Sequence, residues 1–190
     1  MADPLHSPPA KAGLALIGYR ASGKTTVGRL LASQLGRPFV DADAELERRS
    51  GRSISSIFAT EGEEAFRDLE ARTIRDLCRE SPTAVLSTGG GVILRESNRG
   101  LLSEFGPVVW LRAPAEVLVA RLQCDSGDRP ALTAAGLLDE VAHVLHIREP
   151  LYHEASDVVI DSSISDPDGI AREVIERLSL TPDRKGAGHD

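Results

Sequence analysis

Eight consecutive residues, Gly18-Tyr19-Arg20-Ala21-Ser22-Gly23-Lys24-Thr25, carry glycine, lysine and hydroxyl in the spacing G-x-x-x-x-G-K-T. Such a segment holds phosphate for physical reasons. Gly18 and Gly23 let the backbone curl until several N–H groups point at one anion. A helix that starts there adds its dipole to the attraction. The Lys24 ammonium is expected to reach the β- and γ-phosphates of a nucleotide, and the Thr25 hydroxyl to ligate Mg²⁺. The competing reading is a glycine-containing turn ahead of an ordinary helix. At background residue frequencies the full match arises by chance in roughly 1% of chains this long. A nucleotide site is expected here.

Phe39-Val40-Asp41-Ala42-Asp43 then sets two acids two residues apart at the end of an apolar run. In a strand that spacing sends both side chains to the same face. Ligands of open parallel sheets bind beyond the carboxyl ends of the strands, where a phosphate loop also sits. One carboxylate can then join a Mg²⁺ shell while the other faces an acceptor hydroxyl. Alternatively, Asp43 caps a helix over Ala44–Arg49 and Asp41 is a solvated turn acid.

These groups need a frame. Short apolar runs recur at 14–17, 39–40, 84–86, 108–111 and 158–160. They are too short for helices and mostly continuous, the pattern of strands buried on both faces of a parallel sheet. Amphipathic stretches lie between them. Lys24–Leu35 aligns Val27, Leu30, Leu31 and Leu35, and Gly36 then offers a stop. Glu64–Arg79 aligns Phe66, Leu69, Ile74 and Leu77. Pro114–Gln123, Leu137–His146 and Ile170–Leu180 are further expected helices. The alternation predicts an α/β fold of the P-loop NTPase type: three layers, with a five-stranded parallel sheet between helices.

The chain has 190 residues, close to the size of one domain. Its 29 acids against 22 bases give a charge of -7, which argues against coating nucleic acid. No stretch approaches the roughly 18 apolar residues of a membrane span, and the Pro-broken opening lacks the apolar core of a secretory signal. Cys78 and Cys124 have no CxxC spacing and suit a reducing compartment. Residues 1–12 are expected to be a flexible leader, 13–180 a single domain and 181–190 a flexible tail, in a cytoplasmic protein.

An ordered set of motifs resembles the shikimate kinases. It comprises GYRASGKTT at 18–26, DAD at 41–43, GRSISSIFATEGEEAFRDLE at 51–70, STGGG at 87–91, DRPAL at 128–132 and REPLY at 148–152. The resemblance runs from Leu14 to Leu180. It implies ATP- and Mg²⁺-dependent phosphorylation of the 3-hydroxyl of shikimate, in chorismate and aromatic amino-acid biosynthesis, by a monomer. It implies ATP contacts from Gly18, Ala21, Ser22, Gly23, Lys24, Thr25 and Thr26, with Thr25 and Asp41 at the metal. Asp43 would hold the substrate hydroxyls and serve as base. Arg67 and Arg148 would grip the carboxylate, and the backbone of Gly89, Gly90 and Gly91 would lie against the ring. Arg129, from a segment at about 124–134 that is a lid in the family, would reach the transferring phosphate. Arg121 falls where the family sets an arginine against adenine.

The chemistry is consistent with those roles, because a small carboxylate with three hydroxyls calls for a fork of arginines and an acid. Blander readings exist for each. Arg67 can pair along its helix with Glu63, Glu64 or Glu70. Gly89–Gly91 can be a strand exit, Arg129 part of a surface loop, and Arg148 a cation at a helix C-terminus. Trp110 is expected in the core, and His143, His146 and His153 have too few partners for a metal site. A kinase for gluconate or a nucleotide would keep the phosphate loop without needing the Arg67/Arg148 pair. A ligand sensor would not need Lys24, Thr25, Asp41, Asp43 and Arg129 together.

Overall fold

The computed structural model describes residues 13–125 and 134–182. The expected leader, Arg129 with most of the expected lid, and most of the expected tail lie outside the described residues. Strands β1 (Leu14–Ile17), β2 (Phe39–Asp41), β3 (Val85–Ser87), β4 (Val108–Arg112) and β5 (Val158–Asp161) form one sheet. Its order is β2-β3-β1-β4-β5, and every pairing is parallel. From β1 the chain goes to the edge strand β2, returns to β3 beside β1, and then crosses to β4 and β5 on the other side. That reversal opens a crevice beyond the carboxyl end of β1.

Helices α1 (Lys24–Leu35), α2 (Ala42–Ser50), α3 (Ile54–Glu80), α4 (Glu96–Phe105), α5 (Ala115–Asp125), α6 (Ala134–Ala155) and α7 (Pro167–Arg177) surround the sheet. All four residues of β1 are buried, which explains its unbroken apolar run. Leu14 and Leu16 pack toward Leu31 and Leu35 of α1 and Val174 of α7. Ala15 and Ile17 point the other way, toward Ile74 of α3, Leu102 of α4 and Tyr152 of α6. The period of two along the strand thus builds two cores from one element. Truncating Leu31, which is fully buried, to alanine would cost roughly 2–5 kcal/mol. Trp110 lies in the core, as its place in an apolar run predicts.

Helix α7 spans Pro167–Arg177 rather than Ile170–Leu180, two other helices depart further from the sequence reading, and one has no counterpart in it. Helix α3 begins at Ile54 rather than Glu64, and Gly62 (φ 84°, ψ 179°) breaks it into two pieces. Helix α6 continues through Pro150 to Ala155, so Arg148 is interior and not at a C-terminus. Helix α4 was not anticipated, since Gly100 interrupts its short apolar stripe. Among the described residues, no helix is long and apolar enough to cross a membrane.

Candidate active site

The loop after β1 turns tightly because Gly18, Ala21 and Gly23 adopt φ of 144°, 62° and 94°. At Gly18 only glycine fits, since a Cβ would lie 2.5 Å from the Leu111 carbonyl oxygen. Ala21, small enough to keep the turn, does so in a left-handed conformation that costs an L-residue about 1–2 kcal/mol. Lys24 folds back over the loop. Its Nζ donates to the carbonyls of Gly18 (2.8 Å) and Tyr19 (2.7 Å) and to Ser22 Oγ (3.3 Å). Burial lowers its pKa to about 8, against the opposing pull of Asp43 and Asp41.

A cleft of about 590 Å³ lies beside this loop, lined by Ala21 through Val27 and by Arg121, Cys124, Ser162 and Pro167 among others. Arg121 Nη2 donates to the Ser162 carbonyl at 2.6 Å, and its Nη1 to the Ala21 carbonyl at 3.3 Å. The guanidinium therefore ties the phosphate loop to the segment after β5. Its flat face is a surface of the kind on which a planar base can stack.

The two acids are not neighbours on one strand face. β2 ends at Asp41, and Asp43 sits in the first turn of α2. Nor does Asp43 cap that helix. Asp41 does, with Oδ1 accepting from the backbone N–H of Asp43 (3.2 Å) and Ala44 (3.3 Å). The other oxygen, Oδ2, accepts from Thr25 Oγ1 at 2.9 Å. Asp41 is therefore not a solvated turn acid. Thr25 and Asp41 present two oxygens side by side next to the phosphate loop. That sparse set fits Mg²⁺, which takes few protein ligands and completes its shell from phosphates and water.

Asp43 faces a second cavity of about 410 Å³, shared with Arg67, Gly89, Gly90, Gly91 and Arg148. Burial, followed by the charges of Asp41 and Glu70, raises its pKa to about 6. Arg67 is buried, yet it makes the helical pairings too. Its Nη1 donates to Glu70 Oε2 at 2.8 Å and its Nη2 to Glu63 Oε1 at 3.2 Å. Ion pairing and pocket placement, set out above as alternatives, occur together. At Gly91 the missing side chain leaves room for the arginine, since a Cβ there would lie 2.4 Å from the Arg67 guanidinium as it is placed. From α6, Arg148 Nη1 donates to the Gly90 carbonyl at 3.3 Å. Phe58, tilted 34° against Phe66 with ring centroids 4.6 Å apart, adds an apolar side to this charged cavity.

A family model described as shikimate kinase matches residues 20–179. This chain belongs to the shikimate kinase family. It is 45% identical over 166 residues to a shikimate kinase of Rhodopirellula baltica, covering 86% of this chain and 88% of that one. It is 48% identical over 147 residues to a shikimate kinase of Nitratidesulfovibrio vulgaris, covering 76% and 83%. The solved structure of a shikimate kinase from Acinetobacter baumannii in complex with shikimate matches at 36% identity and a TM-score of 0.81, covering 88% of this chain and 93% of that one.

Two groups at this shikimate kinase site escaped the sequence reading as site residues. Glu70, only 3% exposed, holds Arg67 with one oxygen, while Oε1 has no hydrogen-bond partner among the described residues. Burial raises its pKa, with Arg67 opposing. Its only sequence signal was a position three residues after Arg67, which any surface ion pair shares. Tyr152 is fully buried under the triglycine turn and donates to the Gly90 carbonyl. The signal for it was the arginine one helical turn before it.

Proposed function

We propose that this shikimate kinase transfers the γ-phosphoryl group of ATP to the 3-hydroxyl of shikimate, giving shikimate 3-phosphate and ADP for chorismate biosynthesis. The observation that carries this reading is one cavity holding Asp43, Arg67 and Arg148 beside the phosphate loop. Two guanidiniums suit a carboxylate, and a lone acid suits hydroxyls. Arg67 and Arg148 are assigned the shikimate carboxylate. Gly89, Gly90 and Gly91 are assigned the ring, because a turn without side chains allows close approach.

Asp43 is assigned the reacting hydroxyl. With a proton affinity close to neutral, it can take the hydroxyl proton as the new O–P bond forms. The bond from the γ-phosphorus to its bridging oxygen breaks, and the electron pair leaves with ADP. Lys24 is assigned the charge that develops there, and Gly18, Ala21, Ser22, Gly23 and Thr26 are assigned the phosphates with it. Arg121 is assigned the adenine, and Arg129 the transferring phosphate. Thr25 and Asp41 would hold Mg²⁺, which when bound would supply charge neutralisation to the phosphates. Residues 13–180 are read as a single kinase domain, acting as a cytoplasmic monomer.

The test is ADP release in the presence of Mg²⁺ with shikimate, gluconate, a nucleoside monophosphate or no acceptor. Turnover is expected with shikimate alone. Equal turnover with gluconate, or ADP release that needs no acceptor, would overturn the assignment.

A further inference from the structure

Gly90 is where the two halves of the site touch. A Cβ there would lie 3.3 Å from the Arg20 backbone nitrogen and 3.4 Å from the Gly18 carbonyl oxygen, so its backbone packs against the phosphate loop. Its own carbonyl accepts two hydrogen bonds from α6. Arg148 Nη1 donates at 3.3 Å and Tyr152 Oη at 2.5 Å. The donors are four residues apart and share one helix face.

They are not equal partners. The Arg148 bond lies at the long limit for N–H···O, and it ends a flexible side chain. The Tyr152 bond is at the short end for O–H···O. Its ring is fully buried and stacks on Trp110, with centroids 5.4 Å apart and planes 16° apart. Three successive glycines make the turn the most pliable backbone in the pocket. The rigid reference for that turn is therefore the tyrosine. Burial also raises its hydroxyl pKa to about 12, so it remains a donor at any pH the enzyme meets.

We propose that Tyr152 is a positioning residue for the acceptor. Its hydroxyl fixes the Gly90 carbonyl, and that carbonyl in turn fixes the Arg148 guanidinium in the pocket. The inference rests on the shikimate reading above, because it concerns how the acceptor carboxylate is met.

The test is Tyr152→Phe, which removes the hydroxyl and keeps the ring on Trp110. Shikimate and ATP are varied separately in steady-state assays, alongside thermal melting. The expected result is a KM for shikimate raised about fivefold to tenfold, with kcat and the KM for ATP within about twofold of wild type. In an Arg148→Ala background, the same substitution should change the KM for shikimate less than about twofold, because the two groups act as a unit. An unchanged KM for shikimate would overturn the proposal, as would an equal rise for both substrates or multiplicative effects in the double variant. So would a chain that no longer folds, since Tyr152 would then be a stability residue. A wild type silent with shikimate would overturn the function and this inference with it. An active wild type with an indifferent Tyr152→Phe would overturn this inference alone.

Discussion

Around the proposed nucleotide cleft the side chains are held by backbone carbonyls, most of them from one loop. Carbonyls of Gly18 and Tyr19 hold Lys24, and the carbonyls of Ala21 and Ser162 hold Arg121. The proposed acceptor cavity is built instead from charged side chains brought from α2, α3 and α6 around one glycine turn. A contiguous loop is specified by φ angles that few residues accept. An assembled pocket is specified by what each side chain leans on. Glu70 and Gly91 therefore matter as much to Arg67 as its own identity does.

The comparison predicts different failures on the two sides. The largest effect belongs where the halves meet: Lys24→Ala and Asp43→Asn should each lower kcat about a hundredfold to ten-thousandfold. Circular dichroism and melting should show both variants folded. Near-wild-type turnover in a folded Asp43→Asn protein would overturn the proposal that Asp43 is the base. On the acceptor side alone, Arg67→Ala should weaken shikimate by roughly 2–4 kcal/mol, read as KM, and leave the KM for ATP nearly unchanged. Equal effects on both substrates would erase the division between the halves.

A third outcome concerns stability rather than rate. Folding raises the Asp43 pKa from 3.8 to about 6, so the folded state binds this proton more tightly than the unfolded chain does. Its contribution is fully favourable below the unfolded value and is lost as pH rises through the folded one. Asp43→Asn should therefore raise the Tm of the nucleotide-free protein at about pH 7.5 and change it little at about pH 4. The gain is at most about 3 kcal/mol. A Tm that falls at the higher pH would contradict the buried charge. The smallest effect belongs to the backbone-built half. Ala21→Gly should relieve the left-handed alanine and stabilise the protein by up to about 1 kcal/mol, seen as a Tm raised by a few degrees.

Legibility in the sequence followed the same division. The phosphate loop and the five strands were readable because local spacing alone encodes them: LALI at the centre of the sheet is an unbroken apolar run, and Gly36 stops α1 as expected. The start of α2 was not readable, because Asp41 ends a strand and caps a helix in the same residue. The start of α3 was hidden behind Gly62, which reads as a boundary, while the true cap is Ser53, whose hydroxyl accepts from the Ser56 N–H at 3.2 Å. Arg67 was visible through the family motif, but the burial of Glu70 and Tyr152 depends on partners from elsewhere in the chain. No local pattern states which acid will be dry.

Gly62 divides α3 so that its outer piece carries Ile54 and Phe58 while its inner piece carries Arg67 and Glu70. The outer piece is braced separately, by Arg52 against Glu61 and Thr60. No neighbouring atom crowds the position a Cβ would take on Gly62, so only its backbone angle excludes other residues. Substitutions at Ile54 or Phe58 therefore change the apolar side of the pocket without removing the Arg67–Glu70 pair. The shape of this pocket and its charge are thus set largely on different pieces of one helix, which meet at Gly62 and at the Phe58–Phe66 contact.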